Sequence, residues 1–273
     1  MEVIILEDAE QVAEKAAEVV CRMVACKPAA VLGLASGSTP IGLYRRLVAR
    51  HRDGQLSFAE VTTFNLDEYI GLAPDSPRSY RSFMARELFD HIDIAPQRTH
   101  LPACVPGQDP RAVGPAYEAL MAAHGGIDLQ VLGIGGNGHI GFNEPSSSLA
   151  SRTRVKTLTR RTVEDNRRLF EPDEFQPSLA VTMGISTIME ARRVLLLATG
   201  QHKAAAVQAA IEGAISAMHP ASVLQAHPRV RCVLDEAAAS GLQLREYYDW
   251  VYRQAESIER QYGAQAPGDP WFQ

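Results

Sequence analysis

Apolar residues along this chain recur in two rhythms. Short, largely β-branched runs at 3–6, 30–35, 61–66, 129–134, 181–183 and 194–198 predict strands, several of them apolar on both faces. Between them, apolar residues spaced as on one side of a helix predict helices over 9–24, 41–48, 80–92, 112–123, 163–170 and 203–211. Doubly buried strands alternating with helices imply one α/β domain: a mostly parallel sheet with helices on both faces. The stretch 95–114, punctuated by Pro96, Pro102, Pro106, Gly107 and Pro110, reads as a long surface connection without an element of its own. Apolar periodicity ends near Gly263, so the expected organisation is a domain over 1–262 followed by a mobile tail over 263–273. There is no internal repeat.

Composition narrows the classes. A chain of 273 residues, 46% hydrophobic with a net charge of −5, carries no basic footprint for nucleic acid. Cys21, Cys26, Cys104 and Cys232 form neither a Cys-x-x-Cys pair nor a zinc-ligand spacing, as expected of reduced thiols. The first residues lack the basic start and apolar run of a signal peptide, and no segment approaches about 18 uninterrupted apolar residues. The expectation is a cytoplasmic protein without membrane, metal or redox cofactor.

Parallel sheets bind ligands beyond the carboxyl ends of their strands, so chemistry is expected after Ala35, Leu66 and Ile134. The first loop, Ser36-Gly37-Ser38-Thr39-Pro40, suits an anion: glycine lets amides approach, hydroxyls add donors, and proline starts a helix. A plain turn with a Thr39 helix cap fits the same residues. Because it lacks a dinucleotide or triphosphate fingerprint, a small phosphorylated ligand is expected.

After the third run stand Asp67 and Glu68. A carboxylate partly desolvated by Leu66 and Tyr69 suits a general base beside a carbonyl, though acids also abound at turns. The third loop sets His139 among Gly135, Gly136, Gly138 and Gly141, with Glu144 near enough to orient it. Glycine neighbours give a histidine little to pack against, and His139 with Glu144 is too small a ligand set for zinc.

Together, SGSTP at 36–40, FNLDEY at 64–69 and GNGHIGFNEP at 136–145 resemble the glucosamine-6-phosphate deaminase family, and the likeness runs on through 147–158 and 208–213. It implies a modified Rossmann-like fold and conversion of glucosamine 6-phosphate with water to fructose 6-phosphate and ammonia. On that pattern Asp67 moves the proton from carbon 2 to carbon 1. His139 opens the sugar ring, supported by Glu144 and Asn137; where Asn137 stands some members carry aspartate, which implies a changed pH profile. Ser36, Gly37, Ser38 and Thr39 form the phosphate loop, completed by Arg168 and Lys203.

The region around Ser148 resembles members that are homohexamers activated by N-acetylglucosamine 6-phosphate. Ser147, Ser148, Arg154 and Lys156 match that effector's phosphate site, and Tyr247 or Tyr248 its aromatic partner. The rivals are a 6-phosphogluconolactonase or a galactosamine 6-phosphate deaminase of the same fold. A sugar-phosphate sensor would usually bring a helix-turn-helix segment, which is missing here.

Overall fold

The computed structural model describes residues 1–262 and Trp271, except Pro74, Pro106, Arg168, Leu169 and Pro172. In chain order the strands are β1 (Glu2–Leu6), β2 (Val31–Leu34), β3 (Thr62–Asn65), β4 (Asp67–Tyr69), β5 (Thr99–His100), β6 (Leu129–Gly133), β7 (Arg154–Thr157), β8 (Leu179–Thr182), β9 (Val194–Ala198) and β10 (Val230–Asp235). The helices are α1 (Ala9–Cys26), α2 (Thr39–Arg52), α3 (Tyr80–Glu87), α4 (Pro110–Ala123), α5 (Arg160–Asn166), α6 (Ile185–Met189), α7 (Ala204–Ile211) and α8 (Arg245–Tyr262).

The main sheet runs β1-β10-β9-β6-β2-β3-β5, and every neighbouring pair is parallel. Alternation along its strands sorts the core. Leu196, Cys232 and Leu234 face one way, onto Tyr117 and Met121 of α4 and Val207 and Ala210 of α7. Leu195, Leu197 and Val233 face the other way, onto Ala16 and Val20 of α1 and Leu43 and Leu47 of α2. Helices therefore cover both faces, as the doubly apolar runs imply.

From β2 the chain steps outward to β3 and β5, then returns to place β6 on the other side of β2. The loops after β2 and β6 thus diverge, and a crevice opens at that switch point. A small antiparallel sheet, β4-β8-β7, stands beyond the carboxyl end of β3 and walls the crevice. Leu66 joins the two sheets: its N–H donates to Leu34 O (3.1 Å) and its carbonyl accepts from Met183 N (2.7 Å).

Several sequence expectations need correction. The predicted strand at 181–183 belongs to the small sheet. The 80–92 helix stops at Glu87 and continues as a 3-10 turn over Phe89–His91. The 95–114 connection contains a 3-10 turn (Pro96–Arg98), the edge strand β5 and the start of α4, which Asp109 caps from outside its first proline. β10 was masked by Arg229 and Arg231. The Arg231 side chain is paired with Glu2 on the neighbouring strand (2.6 Å), so this interior strand carries a charge that pattern reading discounts. α8 is missed because it is mostly polar and aromatic, burying only part of Tyr248 and Tyr252 against the core. The expected mobile tail lies outside the described residues except at Trp271. That side chain is buried, with the Arg231 guanidinium 4.6 Å from its ring centre and its carbonyl accepting from Arg193 Nε.

α4 approaches β7 so closely at Gly114 that an added β-carbon would lie 2.2 Å from the Thr153 carbonyl oxygen. Backbone stands on both sides of this contact, so neither yields cheaply. Gly114→Ala is expected to destabilise the fold by about 1–3 kcal/mol; an unchanged thermal unfolding midpoint would contradict this packing.

Candidate active site

Four strand ends deliver the site. After β2, Gly37 turns the chain at φ +126°, a region that favours glycine. Pro40 then occupies the first turn of α2, where no amide is needed. Ser38 takes the cap position without a side-chain capping bond, so the helix-cap reading of these hydroxyls does not account for them. From α2 the buried Tyr44 hydroxyl donates to Ala35 O (2.5 Å) and buttresses the loop.

Asp67, one residue past β3, opens β4 and pairs with Thr182 across the small sheet. Its side chain is buried, and Ser36 Oγ donates to Oδ1 at 3.4 Å. Burial, then the neighbouring Glu68 charge, push its pKa up from 3.8 to about 7, against the pull of Ser36, Thr182 and the Phe142 amide. Glu68 is also buried and pushed up by burial, but it accepts from the amides of Tyr69 (2.9 Å), Tyr80 (3.0 Å) and Arg81 (2.9 Å) at the start of α3. The two adjacent acids thus face different surroundings. Since the folded pKa of Asp67 is raised, its contribution to stability is fully present below 3.8 and declines as pH climbs through about 7.

The loop after β6 folds back on itself, with Gly135 N donating to His139 O (2.9 Å). The imidazole lies against Gly135: a β-carbon there would sit 2.3 Å from the ring. His139 Nδ1 stands 3.5 Å from Glu144 Oε2, a charge contact longer than a hydrogen bond. Asn137 Nδ2 donates to the same oxygen (2.8 Å), and Asn137 Oδ1 accepts from the His139 amide (3.2 Å). Burial alone would raise Glu144. The interaction with His139 and bonds from Thr162 and Asn137 outweigh it and hold the carboxyl at about 2.

These loops line a cavity of about 550 Å³. Residues 35–40, Asp67, Gly135, Gly136 and His139 meet there with Lys203, which follows β9. Arg168 lies outside the described residues. Tyr80, Phe142, Thr162 and His202 also line the cavity and were not foreseen. His202 had a signal, adjacency to Lys203; the others come from elements whose approach no local motif reveals.

The proposed effector residues are less gathered. Ser147 is buried and its Oγ has no hydrogen-bond partner, while Ser148 is exposed. Arg154 and Lys156 share one face of β7, with Arg154 donating to Asn143 Oδ1 (2.9 Å) and Arg152 O (3.2 Å). Tyr247 is exposed on α8, beside Tyr248, in a separate hollow formed by 242–247 and Asp249. α8 packs along β1, an edge of the main sheet, rather than on the small sheet.

A buried carboxylate with a near-neutral pKa and a histidine–carboxylate pair, set around an anion loop at a switch point, define an acid/base site for a small anionic ligand. The profile of the family described as glucosamine-6-phosphate isomerases/6-phosphogluconolactonase matches residues 7–232, and the chain belongs to that family. It is 56% identical over 262 residues to a glucosamine-6-phosphate deaminase of Hahella chejuensis, covering 96% of this chain and 100% of that one. It is 55% identical over 263 residues to the deaminase of Colwellia psychrerythraea, with 96% and 98% covered. Among solved structures, a monomeric glucosamine-6-phosphate deaminase matches at 45% identity with a TM-score of 0.85, covering 88% of this chain and 100% of that chain. A 6-phosphogluconolactonase of Trypanosoma cruzi, at 20% identity and TM-score 0.69 over 89% and 97%, shares the fold.

Two measurements probe this geometry. Gly135→Ala should displace the His139 ring and lower turnover of the bound ligand while the protein stays folded; full turnover would refute the ring's placement. The Asp67 carboxyl carbon should titrate by NMR near 7, and in Glu68→Gln at lower pH, since a repelling charge is gone. An unmoved midpoint would remove Glu68 from the account.

Proposed function

We propose that this chain is a glucosamine-6-phosphate deaminase, converting glucosamine 6-phosphate and water to fructose 6-phosphate and ammonia. The observation that carries the reading is Asp67: a buried carboxylate with a pKa of about 7, opening on the same cavity as the anion loop and as His139, which Glu144 backs from behind. The phosphate sits on Ser36, Gly37, Ser38 and Thr39, with Lys203 and Arg168 completing its charge balance. His139 moves the proton that opens the ring, and Glu144 and Asn137 orient it. Asp67 then takes the carbon 2 proton, and carbon 1 receives it back. The amine-bearing carbon becomes an imine, whose hydrolysis by water gives the ketone and releases ammonia. Lactone hydrolysis needs no base for a carbon acid, so the burial of Asp67 favours the deaminase over the lactonase.

Regulation and assembly form a second part of the proposal. N-acetylglucosamine 6-phosphate would bind Ser147, Ser148, Arg154 and Lys156, with Tyr247 contributing from α8, in a cytoplasmic homohexamer. The unpartnered Ser147 hydroxyl and the two bases on one face of β7 support it; the monomeric relative weighs against the hexamer. Among the described residues no helix is long and apolar enough to cross a membrane.

The test is release of ammonia and fructose 6-phosphate from glucosamine 6-phosphate, with galactosamine 6-phosphate and 6-phosphogluconolactone in parallel. Equimolar products from the first are expected; silence there with turnover of another moves the function to that substrate. Because Asp67 must be ionised to act, kcat/KM should fall as pH drops below about 7. Asp67→Asn should cost at least the roughly 10²–10⁴-fold of a positioned base while leaving phosphate affinity nearly intact. A hyperbolic, effector-insensitive rate curve and a monomeric mass by light scattering would remove the second part.

A further inference from the structure

Glu144 divides its two oxygens. Oε2 faces His139 Nδ1 at 3.5 Å and accepts from Asn137 Nδ2 at 2.8 Å, both from the loop after β6. Oε1 turns away, toward the first turn of α5. There Thr162 Oγ1 donates to it in a short hydrogen bond, and Thr159 Oγ1 stands 3.2 Å off. Thr159 has a single hydroxyl proton, which also reaches Thr162 Oγ1 at 3.1 Å, while its oxygen accepts the Thr162 amide at 3.2 Å as the helix cap. Thr162 is therefore the constant donor and Thr159 the one that steadies it. Both side chains are buried, Thr162 where it lines the cavity, so loss of its hydroxyl leaves Oε1 a donor short.

We propose that Thr162 is a positioning residue of the reaction: by holding Glu144 Oε1 it fixes the rotation of the carboxylate that keeps Oε2 against His139. This rests on the deaminase reading for its rate consequence but not for its geometry. A carboxylate tethered at one oxygen only is free to swing about its terminal torsion, which is broad and weakly restrained. Thr162 clamps that torsion from a different element than the one bearing His139 and Asn137. The imidazole's alignment is thus determined jointly by the β6 loop and α5, and His139 is the titratable group facing Glu144 across the contact.

Thr162→Val keeps the side chain's shape and removes the hydroxyl; Thr162→Ser restores it. In the valine variant kcat for glucosamine 6-phosphate should fall about tenfold or more, part of the roughly 10²–10⁴ a positioned acid/base group supplies. KM should hold, and serine should recover most of the rate. In parallel, the Glu144 carboxyl carbon, assigned with Glu144→Gln, should titrate by NMR without substrate. Its midpoint, about 2 in the native protein, should climb toward the ordinary carboxylate value of 4.5 in Thr162→Val and return in Thr162→Ser. If valine does not fold, Thr162→Ala carries the same expectations. An unchanged kcat, a loss confined to KM, or a serine variant no better than valine would overturn the proposal, as would an unmoved Glu144 titration. Were the native protein silent on glucosamine 6-phosphate, the functional reading would fail while the carboxyl titration still decided the role of Thr162.

Discussion

The site depends on burying two consecutive carboxylates at the end of β3. Alternation along a strand points Asp67 and Glu68 to opposite faces, so each must find its own compensation. Glu68 finds amide donors in its own strand and at the start of α3. Asp67 meets hydroxyls and one amide, and its charge stays poorly compensated. The small antiparallel sheet beyond the carboxyl end of β3 tempers that imbalance without removing it: Thr182 on β8, paired with Asp67, supplies part of the coordination.

Asp67 and Glu144 show how one fold sets two carboxyls apart. Both are buried, yet one is raised to about 7 and the other lowered to about 2. Burial pushes both carboxyls upward, and the partners reverse it at one and not at the other. Glu144 has a histidine within ion-pair reach and three side-chain donors, whereas Asp67 has a like charge beside it. A group near neutrality exchanges protons readily, while a permanently charged one orients its neighbour.

Much of this was legible in the sequence where the signal is local. The doubly apolar runs of β2, β6 and β9 announce a parallel sheet, and Gly37, Asp67 and His139 stand at strand ends where ligands are expected. What escaped depends on pairing at a distance. Arg231 breaks the apolar run of β10 because its charge is answered by Glu2 from the other end of the sequence. β4 and β7 are charged and short, and they become strands only through β8. Thr162 reaches Glu144 from 18 residues away, a link visible only once α5 is placed. Asn137, expected to support His139, reaches it through the backbone amide and through Glu144, a route that no local pattern shows.

Arg231 holds Glu2 through its guanidinium and lies over the ring of Trp271, so positions 2 and 271 meet on one side chain at the β1–β10 edge. In topological terms the described chain is nearly a closed ring. Its order of elements could be rotated by linking those positions and opening an exposed turn such as Gly125–Gly126, where both glycines have positive φ and open space. A protein built this way would begin at β6 and carry β10 and β1 as consecutive strands, with the crevice between β2 and β6 assembled from its first strand and a strand of its second half.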